Sequence, residues 1–172
     1  MGGHQVTAPL QYYSYITGNA ISSCELPDGT EISLNKNSKL SYSSSYGEQV
    51  REVSLDGEGF FTVTKDKEKA FVVDLNGSKI SVLGTVFNVK NYKKEDITTA
   101  TLVEGSIRFE TPDQQIVLKP DQQLVFNKSN NKIDMTNVST DLVTAWKSHL
   151  IKYRSVPFRE FLDMLKERYA VE

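Results

Sequence analysis

The chain has 172 residues, with 20 basic and 22 acidic side chains, a formal net charge of −2 at pH 7 and 38% hydrophobic residues. Such near-neutrality does not supply the clustered positive charge that binding to nucleic-acid phosphates requires. No stretch approaches the roughly 18 consecutive apolar residues of a membrane span, so we expect one soluble domain, or one domain and a fragment, without nucleic-acid or membrane contact.

Between about Ser22 and Met135, apolar and polar residues alternate, which is typical of strands that bury one face. The alternating pairs are, in chain order, Ile32 and Leu34, Phe61 and Val63, Phe71 and Val73, Ile80 and Val82, Phe87 and Val89, Ile107 and Phe109, Ile116 and Leu118, Leu124 and Phe126, and Ile133 and Met135. The breaks between them are Pro27-Asp28-Gly29, Asn76-Gly77, Glu104-Gly105, Lys119-Pro120-Asp121 and Asn130-Asn131. This arrangement predicts a sandwich, jelly roll or barrel, without a long helix before residue 139.

The pattern changes after residue 139. Thr140 or Asp141 is suited to cap a short helix, in which the apolar residues Leu142, Ala145 and Trp146 fall on one side. A brief strand is expected from about residue 149 to residue 153.

A second helix is predicted to begin near Pro157, whose fixed φ suits a first helical turn. Its apolar residues form one stripe, made of Phe158, Phe161, Leu162, Leu165 and Tyr169. Burying a Phe or Leu side chain contributes about 1.5–3 kcal/mol. The stripe therefore has to be covered by the β body, by a further segment or by a partner.

Residues suited to catalysis or metal binding are few. The 2 histidines, His4 and His149, are far apart, and Cys24 is the 1 cysteine, which excludes three-histidine and multi-cysteine metal sites. Candidate paired carboxylates for a glycosidase on a jelly roll are Glu52, Glu58 and Glu104. We expect a solvated or turn-stabilising role for them, and hence neither an enzyme nor a cofactor.

Tyrosines near the start leave a second possibility open. Tyr12, Tyr13 and Tyr15 form a dense group, and Tyr42 and Tyr46 flank a serine-rich stretch. They are compatible with an edge strand and its loop. As an exposed aromatic platform they would instead belong to a carbohydrate- or ligand-binding β module.

Several blocks, taken in order, resemble the FecR family. They are Leu26-Pro27-Asp28-Gly29-Thr30, Ser33-Leu34-Asn35, Ser38-Lys39-Leu40, residues 51–63 (REVSLDGEGFFTV), Phe71-Val72-Val73, residues 82–89 (VLGTVFNV), residues 101–107 (TLVEGSI), residues 118–123 (LKPDQQ) and Ala145-Trp146. At Asp121 the family prefers glycine. The resemblance implies an all-β, jelly-roll-like antiparallel sandwich, followed by a short C-terminal helical segment.

Within these blocks we expect structural roles. The glycines at positions 29, 57, 59, 84 and 105 are expected to permit turns or bulges, as the Gly57-Glu58-Gly59 sequence indicates. Phe60, Phe61, Phe87 and Val89 are expected to fill the core.

Residues 150–171 resemble the beginning of a module that follows in Bacteroidetes-type FecR proteins. That module is similar to the short N-terminal domains of secretins and TonB-dependent receptors. We therefore expect residues 1–146 to be a FecR-like β sandwich and residues 147–172 to be the truncated start of the next module.

The resemblance implies the periplasmic sensing part of an anti-sigma factor that a single span anchors in the inner membrane. Its expected partner is the signalling domain of a TonB-dependent outer-membrane receptor. An extracytoplasmic-function sigma factor would be contacted only through a cytoplasmic segment that this chain lacks. We expect binding at the C-terminal segment, through a strand edge at Ile151–Arg154 and through the side chains of Tyr153, Phe158, Phe161, Leu162 and Leu165.

Overall fold

The computed structural model describes Gly3 and residues 7–148, which form a β body followed by a short helical segment. The strands are β1 (Tyr12–Ile16), β2 (Ser22–Glu25), β3 (Glu31–Leu34), β4 (Lys39–Ser43), β5 (Arg51–Thr62), β6 (Phe71–Asp74), β7 (Lys79–Val82), β8 (Val86–Asn91), β9 (Ile97–Glu104), β10 (Ile107–Glu110), β11 (Gln115–Leu118), β12 (Gln122–Asn127) and β13 (Lys132–Asn137). They are followed by α1 (Thr140–Thr144) and a 3₁₀ helix (Ala145–Ser148).

The strands form one curled 13-stranded sheet whose two halves face each other. Layer A has the order β1-β4-β5-β6-β7-β10-β11, and layer B has the order β2-β3-β5-β8-β9-β12-β13. Neighbouring strands in the described residues are antiparallel except β5 and β6, which are parallel. The predicted jelly-roll-like sandwich with a short C-terminal helical segment is therefore confirmed.

The long strand β5 belongs to both layers. Its first half, residues 51–56, pairs with β4 and β6, and its second half, residues 57–62, pairs with β3 and β8. Between the halves, Gly57 has a φ of 137°, and a Cβ atom there would overlap the Ser38 side chain. Gly57 therefore permits a close backbone approach at the point where the sheet folds over, and only glycine fits there.

Aromatic rings fill the space between the two layers. Phe61 stacks on Phe87 with ring centroids 4.9 Å apart, and Phe109 of layer A meets Phe126 of layer B at 5.7 Å. Most of the alternating residues predicted to point inward are buried. Ile116 and Ile133 are only partly buried, and Met135 is exposed, at 37%. Met135 lies on β13 at the end of layer B, where the two halves of the sheet do not close over it.

The predicted turns have the expected geometry. Asn76 and Gly77 both have positive φ, and the Leu75 amide donates to the Ser78 carbonyl at 2.9 Å, which closes a two-residue hairpin. Asp121 also has positive φ, at 67°, directly after Pro120. Glycine tolerates this conformation best, which accounts for the family's preference at that position.

The helical segment departs from the prediction in two details. Ser139, not Thr140 or Asp141, occupies the N-cap position, and its side chain makes no capping hydrogen bond. Leu142 and Trp146 do not share a face, because Leu142 is 79% exposed and Trp146 only 1%. The helix tightens to 3₁₀ geometry from Ala145, and with three residues per turn the fourth residue along no longer lies on the same side.

Candidate partner-binding surface

The residues predicted to bind a partner lie outside the described part of the chain. Those residues are Tyr153, Phe158, Phe161, Leu162 and Leu165, together with the predicted strand edge at Ile151–Arg154. What the structure shows is the segment that leads to them. That segment, α1 and the 3₁₀ helix, packs against the outer face of layer B.

Trp146 fixes this segment to the β body. Its side chain is buried to 1% exposure, and its indole Nε1 donates to Asn88 Oδ1 at 2.9 Å. Asn88 lies between the core residues Phe87 and Val89 on β8, so its own side chain points to the outer face. A buried indole N–H needs such an acceptor. The contact therefore gives the C-terminal segment a defined position on layer B.

The hydrogen bond from Trp146 continues into a chain of polar side chains. Asn88 Nδ2 donates to Glu58 Oε2 at 3.0 Å, and Asn35 Nδ2 donates to Glu58 Oε1 at 2.8 Å. Both carboxylate oxygens of Glu58 thus have donors from other strands or turns. These hydrogen bonds connect the C-terminal segment, through Asn88 on β8 and Glu58 on β5, to Asn35 in the turn after β3.

Phe60 is buried, but not where it was expected. Its neighbours Gly59 and Phe61 face the core, so Phe60 faces outward from layer B, and Lys147 Nζ lies 3.5 Å from its ring centroid. The prediction that Phe60 fills the core is wrong. Alternation correctly separates the two faces of β5, but the outer face at this point is covered by the 3₁₀ helix, which buries Phe60 from outside.

A groove of about 460 Å³ lies beside this contact. It runs over the outer face of β2, β3 and β5, next to Lys147. Its lining includes Ser23, Glu25, Glu31, Ser33, Phe60 and Thr62. The groove therefore offers hydroxyl and carboxylate groups directly beside the point at which the described chain ends.

Two of the three tyrosines near the start are exposed, but the group is not separate from the β body. Tyr13 and Tyr15 pack on Tyr42, with ring centroids 5.4 and 6.4 Å apart, and Tyr42 continues to Tyr46 at 5.5 Å. Tyr46 in turn meets the core residue Phe71 at 6.5 Å. The rings thus continue the core outward along the edge strand β1 and its partner β4, which favours the edge-strand interpretation over a carbohydrate platform.

The role of Arg51, a buried side chain with four hydrogen-bond acceptors, was not predicted from the sequence. It is 2% exposed, its Nη1 lies 2.9 Å from Asp28 Oδ2, and its guanidinium donates to the carbonyls of Thr64, Lys69 and Leu83. The signal was present, because Arg51 is in phase with the inward-facing residues Val53 and Leu55. A charged residue that points into the protein requires partners, and two of those found here, Asp28 and Leu83, lie in other FecR-like blocks.

The candidate carboxylates do not form a catalytic pair in the described residues. Glu58 is held by Asn35 and Asn88, while Glu52 lies exposed on the layer A half of β5, and Glu104 lies exposed at the end of β9. In residues 7–148 there is no group of three or more His, Cys, Asp or Glu side chains that could hold a metal ion. Burial raises the pKa of the Cys24 thiol to about 11, so it remains protonated at neutral pH. In the same residues no helix reaches the length and apolar character needed to cross a bilayer.

Comparisons with known proteins place this architecture. The model of the family described as FecR protein matches residues 13–108. Two crystal structures of candidate anti-sigma factors from Parabacteroides distasonis ATCC 8503 are each 30% identical to this chain with a TM-score of 0.74. They align with 80% and 78% of this chain, which spans 64% of the length of each. No curated protein matches the sequence. The matched region extends from β1 to β10 and contains both Arg51 and Glu58, and on this basis the chain belongs to the FecR family.

Proposed function

We propose that this chain is the sensing part of a sigma-factor regulator and that it acts by binding another protein, not by catalysis. FecR membership and the likeness to two candidate anti-sigma factors support this role. The observation that carries the proposal is the buried Trp146, which ties the β body to the segment predicted to bind the partner.

The Trp146 contact connects the proposed binding segment to the β body. Binding at residues 151–165 would act on a chain that is held at Trp146, only a few residues earlier. Any displacement of Trp146 would break its 2.9 Å hydrogen bond to Asn88 and disturb the hydrogen bonds that join Asn88 and Asn35 to Glu58. An unpaired buried polar group costs about 1–3 kcal/mol. The C-terminal segment and layer B are therefore expected to respond together.

The full proposal places this part in the periplasm, in a protein that a single span anchors in the inner membrane. The partner is the signalling domain of a TonB-dependent outer-membrane receptor. The sigma factor is contacted by a segment outside this chain. Main-chain pairing along Ile151–Arg154 supplies affinity, and Tyr153, Phe158, Phe161, Leu162 and Leu165 supply apolar anchors.

The experiment is an NMR titration of the ¹⁵N-labelled chain with the signalling domain of a candidate TonB-dependent receptor. The double variant Phe161→Ser/Leu162→Ser should bind at least about tenfold more weakly, because buried apolar anchors at an interface typically contribute more than 1 kcal/mol each. The matched control is Leu142→Ser, which removes an apolar side chain that is 79% exposed on α1 and should not change binding.

Two results would count against the proposal. One is unchanged affinity of the double variant for the signalling domain. The other is loss of the β body in that variant, seen as loss of its β-sheet signal in circular dichroism. The first would show that the stripe does not bind the partner, and the second that it is required for the fold itself.

A further inference from the structure

A second surface lies on the far end of layer A, away from the C-terminal anchor. There, a groove of about 540 Å³ runs along the outer face of the sheet, beside β7, β10 and β11. Strand β11 is an edge strand of layer A. Its lining includes Leu83, Gly84, Thr85, Gly105, Arg108 and Val117. In the described residues, β11 pairs only with β10, so its other edge is open.

The hydrogen-bond phase of the hairpin shows which groups that open edge presents. The Thr111 amide donates to the Gln114 carbonyl at 2.9 Å, which makes these two residues a hydrogen-bonded pair. Pairs in an antiparallel ladder alternate, so Val117, opposite Arg108, is in a non-hydrogen-bonded pair. Its amide and carbonyl therefore point away from β10. Gln115, two residues earlier, presents its backbone in the same direction.

Two aliphatic side chains and one cation are exposed beside this edge. Val117 is 55% exposed and Leu83 is 49% exposed. Arg108, directly across from Val117, is exposed and forms no ion pair with any residue in the described part of the chain. The nearby Glu110 lies 3.5 Å from Lys79, so that pair of charges is already matched. The surface thus combines unpaired backbone groups, two exposed aliphatic side chains and an unmatched positive charge.

We propose that the open edge of β11 binds an extended segment of a partner protein as an added strand. The segment carries an aliphatic residue opposite Val117 and an acidic residue on the same face, within reach of Arg108. Main-chain pairing supplies the affinity of strand addition, and side chains in the adjacent groove supply its specificity. Because β11 has only four residues, the added strand makes few backbone hydrogen bonds and its affinity is modest. The proposal uses none of the residues proposed to bind the signalling domain, so the two proposals can be tested separately.

The probe is the synthetic peptide Thr-Glu-Thr-Val-Thr-Glu-Thr, which places valine and both glutamates on one face of a strand. Titrated into the ¹⁵N-labelled full chain, it should shift the amide signals of Gln115 and Val117. Arg108→Glu should weaken binding about threefold or more and shift preference to the peptide with lysine in place of glutamate. The matched control is Lys94→Glu, at an exposed lysine in the β8–β9 connection, which should bind like the unmodified chain.

Val117→Pro tests the main-chain part of the proposal. It removes an amide that the β10–β11 ladder does not use, so the fold is retained while binding weakens about two- to tenfold. Val117→Thr keeps the amide and separates its contribution from that of the side chain. The proposal would be overturned if the amide signals shifted by the peptide belonged to β1 or β13. It would also be overturned if Val117→Pro and Arg108→Glu bound the peptide as tightly as the unmodified chain does.

Hydrogen exchange in the free chain provides the remaining test. An open edge requires rapid exchange of the Val117 amide in the absence of peptide. Slow exchange would show that a second copy of the chain, or another segment of the same chain, already occupies the edge. Sedimentation would distinguish those two occupants, and either would overturn the assignment to a partner protein.

Discussion

Replacing Arg51 with methionine tests the interpretation that this side chain holds the FecR-like blocks together. Methionine keeps much of the volume but removes every hydrogen bond of the guanidinium. Arg51 donates to Asp28 Oδ2 at 2.9 Å and to the carbonyls of Thr64, Lys69 and Leu83 at 2.6, 2.9 and 3.2 Å. The variant therefore leaves a carboxylate and three carbonyls without their present donor.

The expected loss of stability follows from the burial of the pair. Arg51 is 2% exposed, while the Asp28 side chain is 20% exposed, so water can reach only one partner and only in part. Removing one partner of a buried ion pair typically costs about 3–5 kcal/mol. A domain of this size has about 5–15 kcal/mol of stability in total. We therefore expect Arg51→Met to lower the midpoint of thermal unfolding by roughly 6–20 °C.

The assay is unfolding by heat and by urea, followed by circular dichroism for the β body and by tryptophan fluorescence for the C-terminal anchor. The fluorescence reports on one site, because Trp146 is the 1 tryptophan of the chain. Asp28→Asn serves as the matched comparison, since it removes the negative charge but keeps a hydrogen-bond acceptor. A double-mutant cycle between the two positions isolates their coupling.

A loss of less than about 1 kcal/mol in Arg51→Met, which is the range of an exposed ion pair, would contradict the assigned role of Arg51. A double-mutant cycle that shows no coupling between positions 28 and 51 would also contradict it. In the first case solvent, not Asp28, would be satisfying the guanidinium. In the second case the carbonyl contacts alone would account for the effect.

Two further predictions concern the same network and the turn before β12. Burial raises the pKa of Asp28, but the hydrogen bonds from Arg51 and Thr30 outweigh this effect and hold the pKa below its usual value. The ion pair therefore stabilises the folded chain at pH values above the unfolded-state pKa of about 3.9. This stabilisation is lost as the pH falls below that value. Urea midpoints measured between pH 7 and pH 3 should fall less steeply for Asp28→Asn than for the unmodified chain, and parallel slopes would contradict the assignment. Asp121→Gly should raise stability by about 0.5–1 kcal/mol, because relief of the left-handed conformation, about 1–2 kcal/mol, exceeds the entropy that glycine adds to the unfolded chain. A drop in the urea midpoint of Asp121→Gly would show that the aspartate side chain has a role of its own.

Strand content and the positions of turns were predictable because both depend on local chemistry. Alternating residues such as Ile32 and Leu34 are buried on one face, and Asn76-Gly77 turns where its positive φ values are needed. Local chemistry did not predict the division of β5 between the two layers. That division depends on which distant strands pair with each half of β5. The alternation of apolar and polar residues would be the same for any choice of partner strands, so it does not reveal the choice.

The two proposed binding sites also combine features that the sequence predicts with features that it does not. The apolar stripe from Phe158 to Leu165 was visible as a helical pattern, and it remains a prediction. The anchor that leads to it was not visible, because Asn88 and Glu58 lie 30 residues apart and Trp146 lies 58 residues beyond Asn88. The β11 surface was hidden for a similar reason, since its character depends on Arg108 having no ion pair with any of residues 7–148.

By itself the sequence determined that the chain is an all-β FecR-like body with a short helical end, because side-chain periodicity and turn residues act over a few positions. Only the tertiary structure decided that Arg51 is a buried centre of contacts and that Phe60 is covered from outside. Both outcomes depend on segments distant in sequence that supply hydrogen-bond acceptors or remove water. A local pattern indicates whether a side chain points inward, but not which residues it will contact there.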